Sequence, residues 1–136
     1  MTLENGKFTM GTANVVLTGS YSINSYTVTW KNGEEIFSSS SVAYDTKVSA
    51  PVTAPTKDGY DFTGWTTSDV ALADDYSFTM PAKAVTLNAN WALLTYDIVY
   101  ETNGGNAISS SSYTIESADV MLPTPTRTGY DFGGWW

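Results

Sequence analysis

Carboxylates are the side chains of this sequence best suited to chemistry. Asp69, Asp74 and Asp75 fall close together and could offer oxygen ligands to a hard cation such as calcium. Their spacing is not that of an EF-hand loop, and a solvated acidic loop is the better reading. Asp61 and Asp131 share one local context and could form a carboxylate pair across repeats, and Asp61 with Asp75 could form a pair of the kind that hydrolyses glycosides. Nothing in the sequence positions them, and such an Asp more often faces solvent or accepts bonds from nearby amides. The runs Ser38–Ser41 and Ser109–Ser112 offer hydroxyls, as polar strands, loops or glycan acceptors, but no basic partner to activate them. Asn103-Gly104-Gly105 has no Gly-Lys-Ser/Thr after it and is not a phosphate loop.

Composition narrows the chemistry further. The 136 residues contain neither cysteine nor histidine. Disulfide frameworks, Cys/His zinc sites, Cys nucleophiles and Ser-His-Asp triads are therefore excluded. A net charge of −8, with only six basic residues, argues against nucleic acid and anionic lipid as partners. No segment is apolar enough for a membrane-spanning helix. No catalytic, cofactor or metal site is expected. Aromatic residues make up 14% of the chain, enough to supply a dense core in a small domain without staples.

Those rings are concentrated in a stretch that occurs twice. Gly59, Tyr60, Phe62, Gly64 and Trp65 return as Gly129, Tyr130, Phe132, Gly134 and Trp135, an offset of 70 residues, after matching lead-ins Pro55-Thr56-Lys57 and Pro125-Thr126-Arg127. In an extended strand Tyr60 and Phe62 point to one face, while Trp65 falls on the opposite parity. Gly64 is therefore expected to mark a bulge that turns the indole back. The stretch reads as an aromatic keystone rather than an active site. Tyr60, Phe62, Trp65 and Trp91 could line a glycan platform, but core packing is their ordinary use. Trp136 is the ring expected to be exposed.

The period extends beyond the keystone. Phe8 and Met10 match Phe78 and Met80; Val15, Leu17 and Tyr21 match Val85, Leu87 and Trp91; Tyr96, Ile98 and Tyr100 match Tyr26, Val28 and Trp30. This is a tandem repeat with small slips in spacing. Residues 1–25 read as the C-terminal part of one unit, 26–91 as a complete unit and 92–136 as the N-terminal part of another. In the complete unit, Tyr26–Trp30 alternates as a half-buried strand, Asn32-Gly33 turns it, and Glu34–Val42 returns. Tyr44–Ala54 crosses with at most a turn of helix, Phe78–Met80 is a short strand stopped by Pro81, and Val85–Trp91 is the cleanest alternating strand. Aligned on the repeat, Asp74 and Asp75 meet only Glu4 and Asn5, which weakens a metal site. Lys31 meets Glu101 and Lys83 meets Ala13, so no recurring lysine supports a Lys–Asn cross-link.

The order Tyr-x-Val-x-Trp, Asn-Gly, Pro-Thr-Lys-x-Gly-Tyr-x-Phe-x-Gly-Trp, Phe-Thr-Met-Pro and Val-x-Leu-x-Ala-x-Trp resembles the Listeria–Bacteroides repeat, or internalin B-repeat. The likeness covers nearly the whole chain. It implies a mainly β fold, a β-grasp, ubiquitin-like unit with little helix, carried in tandem by secreted or cell-surface bacterial proteins. It brings no catalytic activity. Family members often follow the keystone Trp with an aromatic, as Trp136 does here and Thr66 does not. The function expected is a spacer or stalk whose partners are other repeats. The alternative is an adhesive module that binds host glycan or protein through exposed rings.

The two partial units are complementary. The segment 1–21 could complete 96–136 of another copy by strand addition, giving a head-to-tail dimer or filament. Phe8, Met10, Val15, Leu17 and Tyr21 would then meet the unit begun by Tyr96, Ile98 and Tyr100. The other reading leaves both ends frayed or packed within one molecule.

Overall fold

A computed structural model describes residues 6–7 and 11–136. Among the described residues there are eight strands and no helix. The chain is mainly β, as the alternation of its apolar residues requires.

The central unit is built on one four-stranded sheet. β1 (Ser25–Asn32) turns through Gly33, at φ 63°, and Glu34 into β2 (Glu35–Ala43), which pairs with it antiparallel. The turn thus lies one residue beyond the expected Asn32-Gly33, because Asn32 is still paired with Glu35. β4 (Tyr60–Thr66) and β6 (Val85–Leu93) pair antiparallel, and β6 lies parallel to β1. The order β2-β1-β6-β4, with the first and last long strands parallel at the centre, is that of a β-grasp. β3 (Lys47–Val48) and β5 (Phe78–Thr79) form a separate two-stranded ribbon.

The core lies on one face of this sheet. Val28 and Trp30 of β1, Val85 and Leu87 of β6, and Trp65 of β4 are buried against Val48, Phe78 and Met80 from the ribbon. Full burial of each aliphatic side chain contributes about 1.5–3 kcal/mol. The serine run of β2 bears on this edge strand: it carries little apolar surface, and Ser39 Oγ donates to the Val28 carbonyl at 3.2 Å. Polar edges of this kind discourage unintended pairing.

Tyr44–Ala54, where a turn of helix was conceivable, is an extended crossing that contains β3. Pro51 and Pro55 remove donors, Thr46, Val48, Val52 and Thr53 are β-branched, and the crossing instead bonds to β5. Asp45 N donates to Met80 O, and Met80 N to Thr46 O, both at 2.9 Å.

Two residues, Leu94 and Thr95, separate β6 from β7 (Tyr96–Ile98). β7 pairs antiparallel with β8 (Ser111–Tyr113), repeating the first hairpin with Tyr96 opposite Tyr113. Tyr100, expected to continue this strand, lies beyond its end. In β1 the matching stretch Val28–Lys31 is paired with β6, and no strand of that kind lies beside Ile98–Glu101 among the described residues.

Candidate functional site: a repeated aromatic keystone

The first keystone begins with a tight turn. Gly59 takes φ 76°, which lets Tyr60 N reach back to the Lys57 carbonyl at 3.1 Å. A side chain disfavours that left-handed backbone. The Lys57 ammonium then sits 3.6 Å from the centre of the Tyr60 ring, a cation–π contact. Further along β4 the pairing with β6 slips between Phe62 and Gly64. This is the bulge the parity of Trp65 demanded, and Gly64 supplies it at φ 128°. The indole is thereby returned to the core face, where it is 3% exposed. There it meets Phe62 edge-on at 5.3 Å and Trp30 edge-on at 4.9 Å. Phe62 in turn meets Trp91 edge-on at 5.7 Å. Such edge contacts set the negative face of one ring against the positive rim of the next.

The second keystone repeats the turn, the cation–ring contact and the Phe–Trp pair. Gly129 takes φ 79°, Tyr130 N reaches the Arg127 carbonyl at 3.1 Å, and the Arg127 guanidinium lies 4.0 Å from the Tyr130 ring centre. Gly134 takes φ 111°, and Phe132 meets Trp135 edge-on at 5.2 Å, both pairs of rings being inclined at 66°. Yet residues 130–135 belong to no strand. The shape of the stretch is therefore local, fixed by glycine, the cation and the rings rather than by the sheet around it.

The two copies differ in how far their rings are covered. Trp65 is buried and Tyr60 and Phe62 are half-buried, whereas Tyr130 is 65% and Phe132 40% exposed. Trp135 is half-buried against Tyr100, its indole N–H donating to the Pro123 carbonyl at 2.8 Å. Between Val99–Glu101 and Tyr130–Trp135 runs a groove of about 500 Å³. In the central unit the corresponding space, between β1 and β4, is filled by β6.

The remaining residues singled out from the sequence fall as follows. Tyr96 and Ile98 lie in β7, and the Tyr100 hydroxyl is 2.8 Å from Ser111 Oγ. Val15, Leu17 and Tyr21 are exposed and in no strand, and Trp136 is fully exposed. Phe8 and Met10, like Glu4 and Asn5, lie outside the described residues.

The acidic loop is solvated at Asp74 and Asp75, and Asp69 and Asp75 also bond to the fold. Asp69 accepts from Thr86 N at 2.9 Å and from Lys83 Nζ at 3.2 Å, so its carboxyl titrates below the ordinary carboxylate range. Asp75 is held low likewise, chiefly by its bonds to Ser77, with Lys47 3.8 Å away. Asp74, Asp61 and Asp131 are exposed. Among the described residues no three acidic side chains converge on a point where a cation could sit.

Two contacts carry no signal that sequence reasoning used. The Tyr76 ring packs over Gly64, and the turn after β8 packs on the first keystone. A Cβ on Gly59 would stand 2.5 Å from Ile115 Cβ, and the Tyr60 hydroxyl donates to Glu116 Oε1. That bond favours the protonated phenol and raises its pKa. The recurrence of a cation, Lys57 and Arg127, two positions before the glycine is a signal from which the cation–ring contact could have been read.

Comparison with known proteins places these features. Residues 26–95 match the family described as the divergent InlB B-repeat domain, and residues 96–136 match the Listeria-Bacteroides repeat domain. A protein of Evansella cellulosilytica designated a Gly-rich membrane protein is 32% identical over 139 residues, covering 95% of this chain and 16% of its own length. A second protein of that organism, designated a membrane protein, is 29% identical over 92% of this chain and 19% of its own. Internalin H of Listeria monocytogenes is 34% identical over 62% of this chain and 15% of its own. The chain thus spans less than a fifth of the length of these relatives. No solved structure matches it. With the repeated keystone, the β-grasp strand order and the match over 26–95 taken together, the chain belongs to the InlB B-repeat family.

Proposed function

We propose that this chain is a non-catalytic structural repeat that acts as a spacer or stalk in a bacterial cell-surface protein. Residues 1–25, 26–91 and 92–136 are then successive units or parts of units. The observation that carries this reading is the second keystone, which repeats the first in backbone and ring geometry 70 residues on. A unit copied with its own locally encoded core, and joined by only Leu94 and Thr95, sets reach and restricts rotation. The membrane-protein designations of two relatives and the name internalin fit an exported location.

The same reading includes head-to-tail association. The groove beside Tyr130–Trp135 lies along the stretch whose counterpart, β4, pairs with β6 in the central unit, and the segment with the matching pattern is Val15–Tyr21. Carrying over the pairing of β6 puts Val15 opposite Ile98, Leu17 opposite Tyr100 and Tyr21 opposite Phe132. Strand addition would cover rings that are now exposed. An adhesive role would instead use Phe37, Phe62 and Trp91, the outer rings of the central ladder.

Light scattering on a sizing column tests the association. Mass should rise with concentration, and Leu17→Asp should return it to that of a single chain. A strict monomer with residues 11–21 open to protease removes the association. Small-angle scattering of concatenated units tests the spacer. The longest dimension should grow in equal steps; units that collapse on each other sink the stalk.

A further inference from the structure

The joint between the two units is made by a seat and a turn. The seat is Gly59–Tyr60, where the absence of a side chain lets Ile115 approach and the phenol bonds Glu116. The turn is Thr114–Ser117, closed by Ser117 N donating to the Thr114 carbonyl at 3.1 Å and Thr114 N donating to Ser117 Oγ at 2.9 Å. Leu94 N, in the link itself, donates to the Gly59 carbonyl at 2.9 Å. An apolar residue, an acid and a glycine-tyrosine pair therefore fix how one unit follows another.

Both halves of this joint occur a second time, each without its counterpart. Gly129–Tyr130 has the backbone of the seat, a cation against its ring (Arg127 in place of Lys57), no atom of the described residues within 4 Å of a Cβ placed on the glycine, and an exposed Tyr130 ring. Ala43–Thr46 makes a turn at the matching place, closed by the same backbone bond but with Asp45 at φ 63°, a left-handed backbone that Glu116 does not share. It follows the first serine run as Thr114–Ser117 follows the second, and Thr46 N donates to the Ala43 carbonyl at 3.2 Å. Its two central residues are Tyr44, which is 47% exposed, and the exposed Asp45, an apolar ring and an acid in the places of Ile115 and Glu116.

We propose that Gly129–Tyr130 is the docking seat for the Tyr44–Asp45 turn of a second copy of this chain, so that the contact between copies repeats the joint within one. Tyr44 covers the bare face of Gly129, and Asp45 accepts from the Tyr130 hydroxyl. The occupant is chosen by the geometry already occupied at Gly59, not by exposure alone. The proposal rests on the head-to-tail reading, because strand addition by Val15–Tyr21 brings the second copy's central unit directly after Tyr130.

Heteronuclear NMR of the full chain between micromolar and millimolar concentration provides the test. Amides of residues 44–46 and 129–131 should shift together as concentration rises, and sedimentation should give the same constant. Gly129→Val fills the seat and should weaken association by about tenfold. Asp45→Asn, which a left-handed backbone accepts, should weaken it by a smaller factor while leaving the central sheet's spectrum in place. If Gly129→Val and Asp45→Asn both leave the constant within about twofold while Leu17→Asp abolishes it, strand addition stands and the seat does not. If the chain does not associate at all, both fall.

Discussion

The hydroxyl of Tyr76 lies in the space that a side chain on Gly64 would need. The phenol reaches over the β4 bulge toward the Thr63 carbonyl, and Gly64 lets it do so while holding φ 128°. Two costs therefore fall on any substitution at Gly64: an unfavourable backbone and the displacement of a ring. Gly134 carries only the first, at φ 111° with no atom of the described residues within 4 Å of where its Cβ would be. Gly64→Ala should lower the stability of the central unit by roughly 2–4 kcal/mol, and Gly134→Ala should leave that unit's transition unmoved. Urea titration followed by Trp65 fluorescence measures the difference. If Gly64→Ala costs as much in a Tyr76→Ala background as in the parent, Tyr76 does not confine Gly64.

The bulge illustrates what could be read in advance. Tyr60, Phe62 and Trp65 break the two-residue alternation at a glycine, so parity alone placed the slip and turned the indole inward. The strands Tyr26–Trp30 and Val85–Trp91 were legible for the same reason, since each alternates and is buried on one face. The partner of β6 was not legible. Pairing β6 with β1 in parallel is a choice of topology, and the apolar face of Val85–Leu87 would suit either neighbour. Nor was the bonding of Asp69 visible, because its carboxylate is fixed by the Thr86 amide and a backbone group leaves no mark on residue type. The joint at Gly59 was hidden by distance: Ile115 and Glu116 lie in a different unit, and only the path of the link brings them to Tyr60.

Asp69 makes stability depend on pH in a definite direction. Its carboxyl is lowered first by the Thr86 amide and next by the Lys83 hydrogen bond and charge. A lowered folded value means that the unfolded chain binds the proton more readily. The stabilisation is therefore present above the ordinary carboxylate range and is lost as pH falls through the folded value. Asp69→Asn removes the charge and with it this dependence. The gap in melting temperature between parent and Asp69→Asn should be widest near neutrality and narrow as the pH falls through and below the ordinary carboxylate range. A gap that stays constant across the titration would assign the role of Asp69 to shape rather than charge.

The link between the units gives a mechanical prediction. Leu94 N donates to the Gly59 carbonyl, which ties the first residue after β6 to the seat on which the next unit rests. Proline at 94 removes this donor and leaves Leu93 in the extended conformation it already has. Loss of one such bond costs about 1 kcal/mol, too little to unfold the central sheet. Leu94→Pro should therefore keep the central unit folded while residues 96–136 reorient more freely, with Leu94→Ala as the control that retains the amide. Backbone relaxation by nitrogen-15 NMR separates the two units directly. If the relaxation of both units remains that of one rigid body in Leu94→Pro, orientation is held by the Ile115–Glu116 contact alone. The Leu94 bond then contributes nothing to stiffness.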